Sequence, residues 1–172
     1  MRRPHFLALV LAVFALAVLT GVSAFAGVTA EKLFFIARSK NANEVHYDAR
    51  VSSDGTLDAK EPVEGYWLNK AEDGSRSPIS LLQRIAYGFD VDPNGDGTWK
   101  MKLKAFSERP LTLVRVNNRW RARVIIAGKQ AYMTKLFVKT DESGVMPKVL
   151  YVDVFGEDAG SGSAVQEHIV KN

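Results

Sequence analysis

Arg38, Lys40 and Asn41, together with Tyr66, Trp67, Arg84 and Tyr87, are the residues of this chain best suited to holding a ligand. Arginine presents a rigid fork of donors that matches a carboxylate or phosphate, and lysine adds a point charge. An asparagine amide both donates and accepts, while the aromatic rings offer an apolar wall. The run Arg38-Ser39-Lys40-Asn41-Ala42-Asn43 carries more charge and amide than a connection between two strands needs. Brought to one barrel mouth, a common place for pockets, this set would take a small anionic or amphipathic ligand. The competing reading is structural: Arg38 and Arg84 pair with carboxylates such as Asp48, and the aromatics fill the core.

Other groupings offer less. Asp92-Pro93-Asn94-Gly95-Asp96-Gly97 puts oxygens at the first, third and fifth positions of a calcium loop and glycine at the sixth. The twelfth position, however, is Leu103 where a bidentate carboxylate is needed, and an alternating strand follows at once. The stretch is therefore read as a turn. Ser39, His46 and Asp48 are near neighbours in sequence, but Ser39 lacks a nucleophile elbow. Asp48, Asp58 and Glu64 supply carboxylates for acid–base hydrolysis, which requires a spatial separation that sequence does not give. With no cysteine and only His46 and His168 beyond the N-terminal segment, a zinc centre has little material, and neither a metal nor a cofactor is expected. Lys100, Lys102 and Lys104 form one basic stripe and Arg119, Arg121 and Arg123 another. With one strand between them, the stripes would lie about 10 Å apart on a common face able to attract an anionic partner.

The elements that position these residues read as short strands of period two. Expected strands are Leu33–Ser39, Glu44–Val51, Val63–Leu68, Thr98–Ala105, Leu111–Asn117, Arg119–Ala127, Gln130–Val138 and Val149–Phe155. Ser77 and Pro78 read as the start of one helix carrying Ile79, Leu82, Ile85 and Ala86 inward and ending at Gly88. These elements predict a mainly β fold: one antiparallel up-and-down barrel, or a curled meander, of eight to nine strands plugged by a short helix. A two-sheet sandwich stays open, because periodicity does not report strand order. Residues 27–156 would form this single domain, and the acidic, Gly/Ser-rich start of 157–172 reads as a flexible tail.

Arg2 and Arg3 precede the apolar run Phe6–Leu19, and Ala24-Phe25-Ala26 follows. This pattern reads as a secretory signal cleaved after Ala26, which predicts a periplasmic or secreted protein with no transmembrane segment in the mature chain. The net charge of +4 falls to +2 without the two arginines, too mild for a nucleic-acid partner.

Phe35-Ile36-Ala37-Arg38-Ser39-Lys40-Asn41-Ala42-Asn43 with Tyr47-Asp48, then Pro62-Val63 with Tyr66-Trp67, then Leu82-Gln83-Arg84 with Ala86-Tyr87-Gly88, resembles the family called domain of unknown function 4833. The resemblance spans most of the chain beyond residue 26 and implies an exported bacterial protein, with no activity or catalytic residue attached. The residues themselves favour a non-enzymatic binding protein for a small anionic or amphipathic ligand. The alternative is an envelope module that contacts a protein, glycan or membrane partner through its basic face.

Overall fold

The computed structural model describes residues 27–144 and 147–170, and the segment read as a secretory signal lies outside them. Alternation becomes strand wherever one side of the chain has a core to face. In β1 (Thr29–Arg38) and β2 (Glu44–Val51), Phe34 and Ile36 pair in register with Tyr47 and Val45, so all four point inward. β3 (Val63–Leu68) adds Val63 and Trp67 to the same face, and the short β4 (Arg76–Pro78) ends this wing. The second wing is a meander of β5 (Phe89–Pro93), β6 (Trp99–Leu103), β7 (Leu111–Val116) and β8 (Arg119–Ile126). Its buried Met101, Leu111, Leu113, Trp120 and Ala122 form the opposing half of the core.

β9 (Lys129–Asp141) joins the wings. Its first residues pair antiparallel with β8, and Lys135–Val138 then run parallel to Phe35–Arg38 of β1. β10 (Lys148–Asp158) occupies the other edge of β9 for its whole length. The two wings therefore leave the same side of β9 and curl toward each other. Trp120 Nε1 in β8 donates to the Gly55 carbonyl at 3.0 Å, and the Tyr47 and Phe89 rings meet edge-on at 5.5 Å. At Gly156, where β10 is irregular, a Cβ would lie 2.6 Å from the Tyr132 carbonyl oxygen, so only glycine lets the two strands approach this closely.

The mainly β expectation holds, but four of its details are corrected. The sheet is mixed, not purely antiparallel, because of the β1–β9 pairing, and it is a curled half-barrel that does not close. Eleven strands are present among the described residues, against the expected eight to nine. The segment expected as a flexible tail instead contains β11 (Ala164–Val170), paired along β10 from Tyr151 to Glu157. Gly160 to Ser163 acts there as a hairpin turn organised by Asp158, whose carboxylate accepts from the Gly160 and Ser161 amides.

The half-barrel stays open between β3–β4 and β5, and the chain crosses this opening between Pro78 and Phe89. The helix expected there shrinks to α1 (Arg84–Tyr87), which buries no residue. Its start is also displaced: Ser77 and Pro78 belong to β4, and the turn is nucleated at Ser80. The Ser80 amide donates to Gln83 Oε1 at 2.9 Å while the Gln83 amide donates to Ser80 Oγ at 3.4 Å. This reciprocal pair is a capping box, legible as Ser-x-x-Gln.

Candidate functional site

Two groups of side chains flank α1. The first is a cation–aromatic stack on the inner rim. Arg38 ends β1 on the inward-facing row, and its guanidinium lies 4.5 Å from the Trp67 ring and 6.0 Å from that of Tyr87. The two rings meet edge-on at 5.1 Å. Arg38 Nη2 donates to Asn41 Oδ1 at 3.1 Å, and no carboxylate pairs with it among the described residues. Arg38 Nε is buried without a partner. Gln83 Oε1 accepts from Trp67 Nε1 at 3.1 Å, which fixes the indole to the capping box. Tyr47, fully buried, donates its hydroxyl to the Tyr87 carbonyl at 2.8 Å. Arg38, Asn41, Trp67 and Tyr87 thus gather as one unit, whose ring faces are occupied by the protein's own guanidinium.

The second group lines a cleft of about 800 Å³ on the open side. Its apolar floor includes Val63, Pro78, Ile79, Phe89 and Val91, and its polar wall carries Lys60, Arg76, Arg84 and Lys104 against Glu61, Glu64 and Asp90. The floor is shaped by a missing side chain: a Cβ on Gly65 would lie 2.7 Å from Phe89 Cε1 and 3.1 Å from Ile79 Cδ1. Phe89 can therefore lie against β3 and span the gap. Three of these charges are spent locally, since Lys104 Nζ lies 2.5 Å from Asp90 Oδ2 and Glu61 lies 3.3 Å from Arg50. Arg84 has no ion pair among the described residues, and Arg76 stacks on Tyr66 at 4.2 Å. The wall left to a ligand is cationic.

Tyr66 sits on the outer face, one residue from Trp67 and pointing the other way. It extends a ladder of stacked rings from Phe35 through His46, at 5.3 and 5.6 Å. Its hydroxyl donates to Asp48 Oδ2 at 2.9 Å. Burial, with that bond to the carboxylate, pushes the Tyr66 phenol up to about 12. His46 Nε2 is 2.8 Å from Glu44 Oε2, whose other oxygen accepts from Lys70 at 2.8 Å. Burial alone would raise the Glu44 carboxyl, but the bonds from Lys70 and His46 outweigh it and hold it below its ordinary value. Asp48 Oδ1 and His46 Nδ1 remain buried without partners.

The sequence-selected residues are thus divided. Tyr66 and Arg84 line the cleft; Arg38, Asn41, Trp67 and Tyr87 form the rim stack; Lys40 lies apart, 3.3 Å from Glu142. Ser39 bonds to Thr140 and does not meet His46. Glu64 stands opposite Asp48 across β2 and β3, whereas Asp58 caps the amides of Lys60 and Glu61. Asp92 and Pro93 end β5 and Asn94–Gly97 turn toward β6, with Asp96 bonded to Thr98, and no group of three or more metal-ligating side chains occurs among the described residues. β7 does lie between β6 and β8, so Lys100, Thr112 and Arg123 are aligned across one face. Acids interrupt that face: Asp92 stands beside Lys100, and Arg121 pairs with Glu157. Arg76, Gln83 and Phe89 were missed by the sequence reading; only Gln83 had a local signal, the capping box.

These features define a class: a curled β half-barrel with an open, cation-walled cleft bridged by one helical turn. The chain belongs to the family described as Domain of unknown function (DUF4833), whose model matches residues 34–168. No curated protein and no solved structure is found to match it. No helix among the described residues is long and apolar enough to cross a membrane.

Proposed function

We propose that this is an exported, non-enzymatic binding protein that takes a small anionic, amphipathic ligand in the cleft between β3–β4 and β5. The observation that carries the reading is an apolar floor beside Arg84, which no carboxylate among the described residues pairs with, and Arg76, which lies over the Tyr66 ring. The volume falls within the range usual for small-molecule sites. An acyl chain would lie over Phe89 and Ile79 while its acidic head met the two guanidinium groups. Export is supported by Arg2, Arg3, the run Phe6–Leu19 and Ala24-Phe25-Ala26.

The test is thermal denaturation of the chain from Gly27 with dodecanoate, dodecyl phosphate or dodecanol, each below its micellar concentration. A ligand at a hundredfold excess over its Kd adds about 2.7 kcal/mol, a shift of several degrees. The two anions should raise Tm and the alcohol should not. Equal shifts from all three, or none, would sink the reading.

A second reading, an envelope-partner module, is supported by the alignment of Lys100, Thr112 and Arg123 across β6–β8. Neutralising Lys100, Lys102, Arg119 and Arg123 should then release the protein from envelope fractions; unchanged fractionation counts against it.

A further inference from the structure

The strand-to-strand crossing that bridges the open side leaves three large apolar side chains in water. Leu81 is 84% exposed, Leu82 78% and Ile85 74%, all close together on this crossing and none covered by another described part of the chain. Isolated exposed leucines need no explanation, but three on a single protruding turn form a contiguous patch. The capping box at Ser80 and the Trp67–Gln83 bond hold this turn rigid, so its outward face is fixed. The inward side of the crossing is taken by Ile79, which is buried, and by Tyr87 and Phe89, which pack against the core.

We propose that this turn is a membrane anchor: Leu81, Leu82 and Ile85 enter the outer layer of an anionic lipid bilayer while neighbouring cations meet the headgroups. Charge complementarity selects this occupant. Arg84 lies inside the apolar triplet's own turn and has no ion pair among the described residues. Arg76 and Lys60, on the cleft wall, are likewise free of ion pairs there. Shape agrees, since side chains this exposed project from the surface, and a fluid bilayer accepts a projection without a preformed pocket. Apolar insertion combined with attraction to anionic lipid is how interfacial segments bind membranes. The patch and the cleft share Arg84, but the anchor does not depend on a ligand in the cleft and can fail independently of it.

The test is flotation of the chain from Gly27 with vesicles; every described strand lies within this portion, and the apolar run Phe6–Leu19 would itself bind lipid. Vesicles of phosphatidylglycerol and phosphatidylcholine in equal parts are compared with phosphatidylcholine alone, for the wild type and for Leu81→Ser/Leu82→Ser/Ile85→Ser. The wild type should partition at least tenfold more strongly to the anionic vesicles. The triple variant should lose at least tenfold of that binding with an unchanged circular dichroism spectrum, and should still show the dodecyl phosphate shift if the cleft takes that ligand. Equal flotation of variant and wild type would overturn the proposal, as would a wild type that ignores both vesicle types. Sedimentation distinguishes the nearest rival: a wild-type dimer that the triple variant converts to monomer, without vesicle binding, would assign the patch to a second copy.

Discussion

Replacing Tyr47 by phenylalanine isolates the bond that ties α1 to the sheet. The Tyr47 ring is fully buried, stacked on Phe34 at 4.8 Å and edge-on to Phe89 at 5.5 Å, and the substitution preserves both contacts. What it removes is the hydroxyl 2.8 Å from the Tyr87 carbonyl, leaving that part-buried acceptor without its donor. Stranding a buried polar group costs about 1–3 kcal/mol. Taking the middle of that range, about 2 kcal/mol, Tm should fall by about 4–8 °C for a domain of this size. Urea unfolding followed by circular dichroism measures it directly, and Tyr87→Phe serves as control because the acceptor is a backbone atom. The pH dependence adds a second signature. Burial pushes the Tyr47 phenol far above its ordinary value, so its contribution is complete below about pH 10, the unfolded phenol's pKa, and declines as pH rises beyond it. The stability gap between wild type and variant should therefore narrow in strong alkali. A Tyr47→Phe protein within about 0.5 kcal/mol of wild type would refute the argument that this bond holds the bridging turn.

Gly65→Ala should destabilise by about 1–3 kcal/mol, because the added methyl meets the Phe89 ring. Phe89→Leu in the same chain should recover part of that loss, and strict additivity in chemical denaturation would contradict the steric account. Glu167 accepts from both Arg109 nitrogens at 2.7 and 2.8 Å, and that pairing holds its carboxyl below the ordinary value. The stability it contributes is present above about pH 4.3, the unfolded carboxyl's pKa, and is lost as pH falls through the lower folded value. Glu167→Gln should flatten this acid-side decline, with amide exchange in β11 as the readout. Arg38→Met should cost about 0.5–2 kcal/mol through the lost stacking on Trp67 and red-shift the tryptophan emission. An unchanged spectrum and midpoint would show that the stack is dispensable.

Much of the sheet was legible because half-burial writes itself into alternation. Val45, Tyr47, Ala49 and Val51 face the core, and the Asn117–Asn118 turn adopts positive φ at both residues. The parallel pairing of β1 with β9 was not legible, since it joins residues about a hundred positions apart and leaves no local mark. β11 was missed because Gly160–Ser163 looks like a linker, although Val165, Glu167 and Ile169 alternate behind it. The helix was overextended because Leu82 and Ile85 have the right spacing for a buried face. Spacing reports a stripe, not whether anything covers it, and here nothing within the described chain does. At the rim, the structure sets the Arg38 guanidinium beside the Trp67 ring. Strand alternation nonetheless separates Trp67 from Tyr66, so one dipeptide serves two surfaces.

The cleft reading is tested most directly by calorimetric titration of dodecyl phosphate into the chain from Gly27 and into its Arg76→Met/Arg84→Met variant. The account predicts saturable one-to-one binding to the wild type and at least a tenfold weaker Kd for the variant, whose stability without ligand should fall by no more than about 1 kcal/mol through the lost Arg76–Tyr66 stack. Equal affinity for both proteins, or no saturable binding to either, would contradict it.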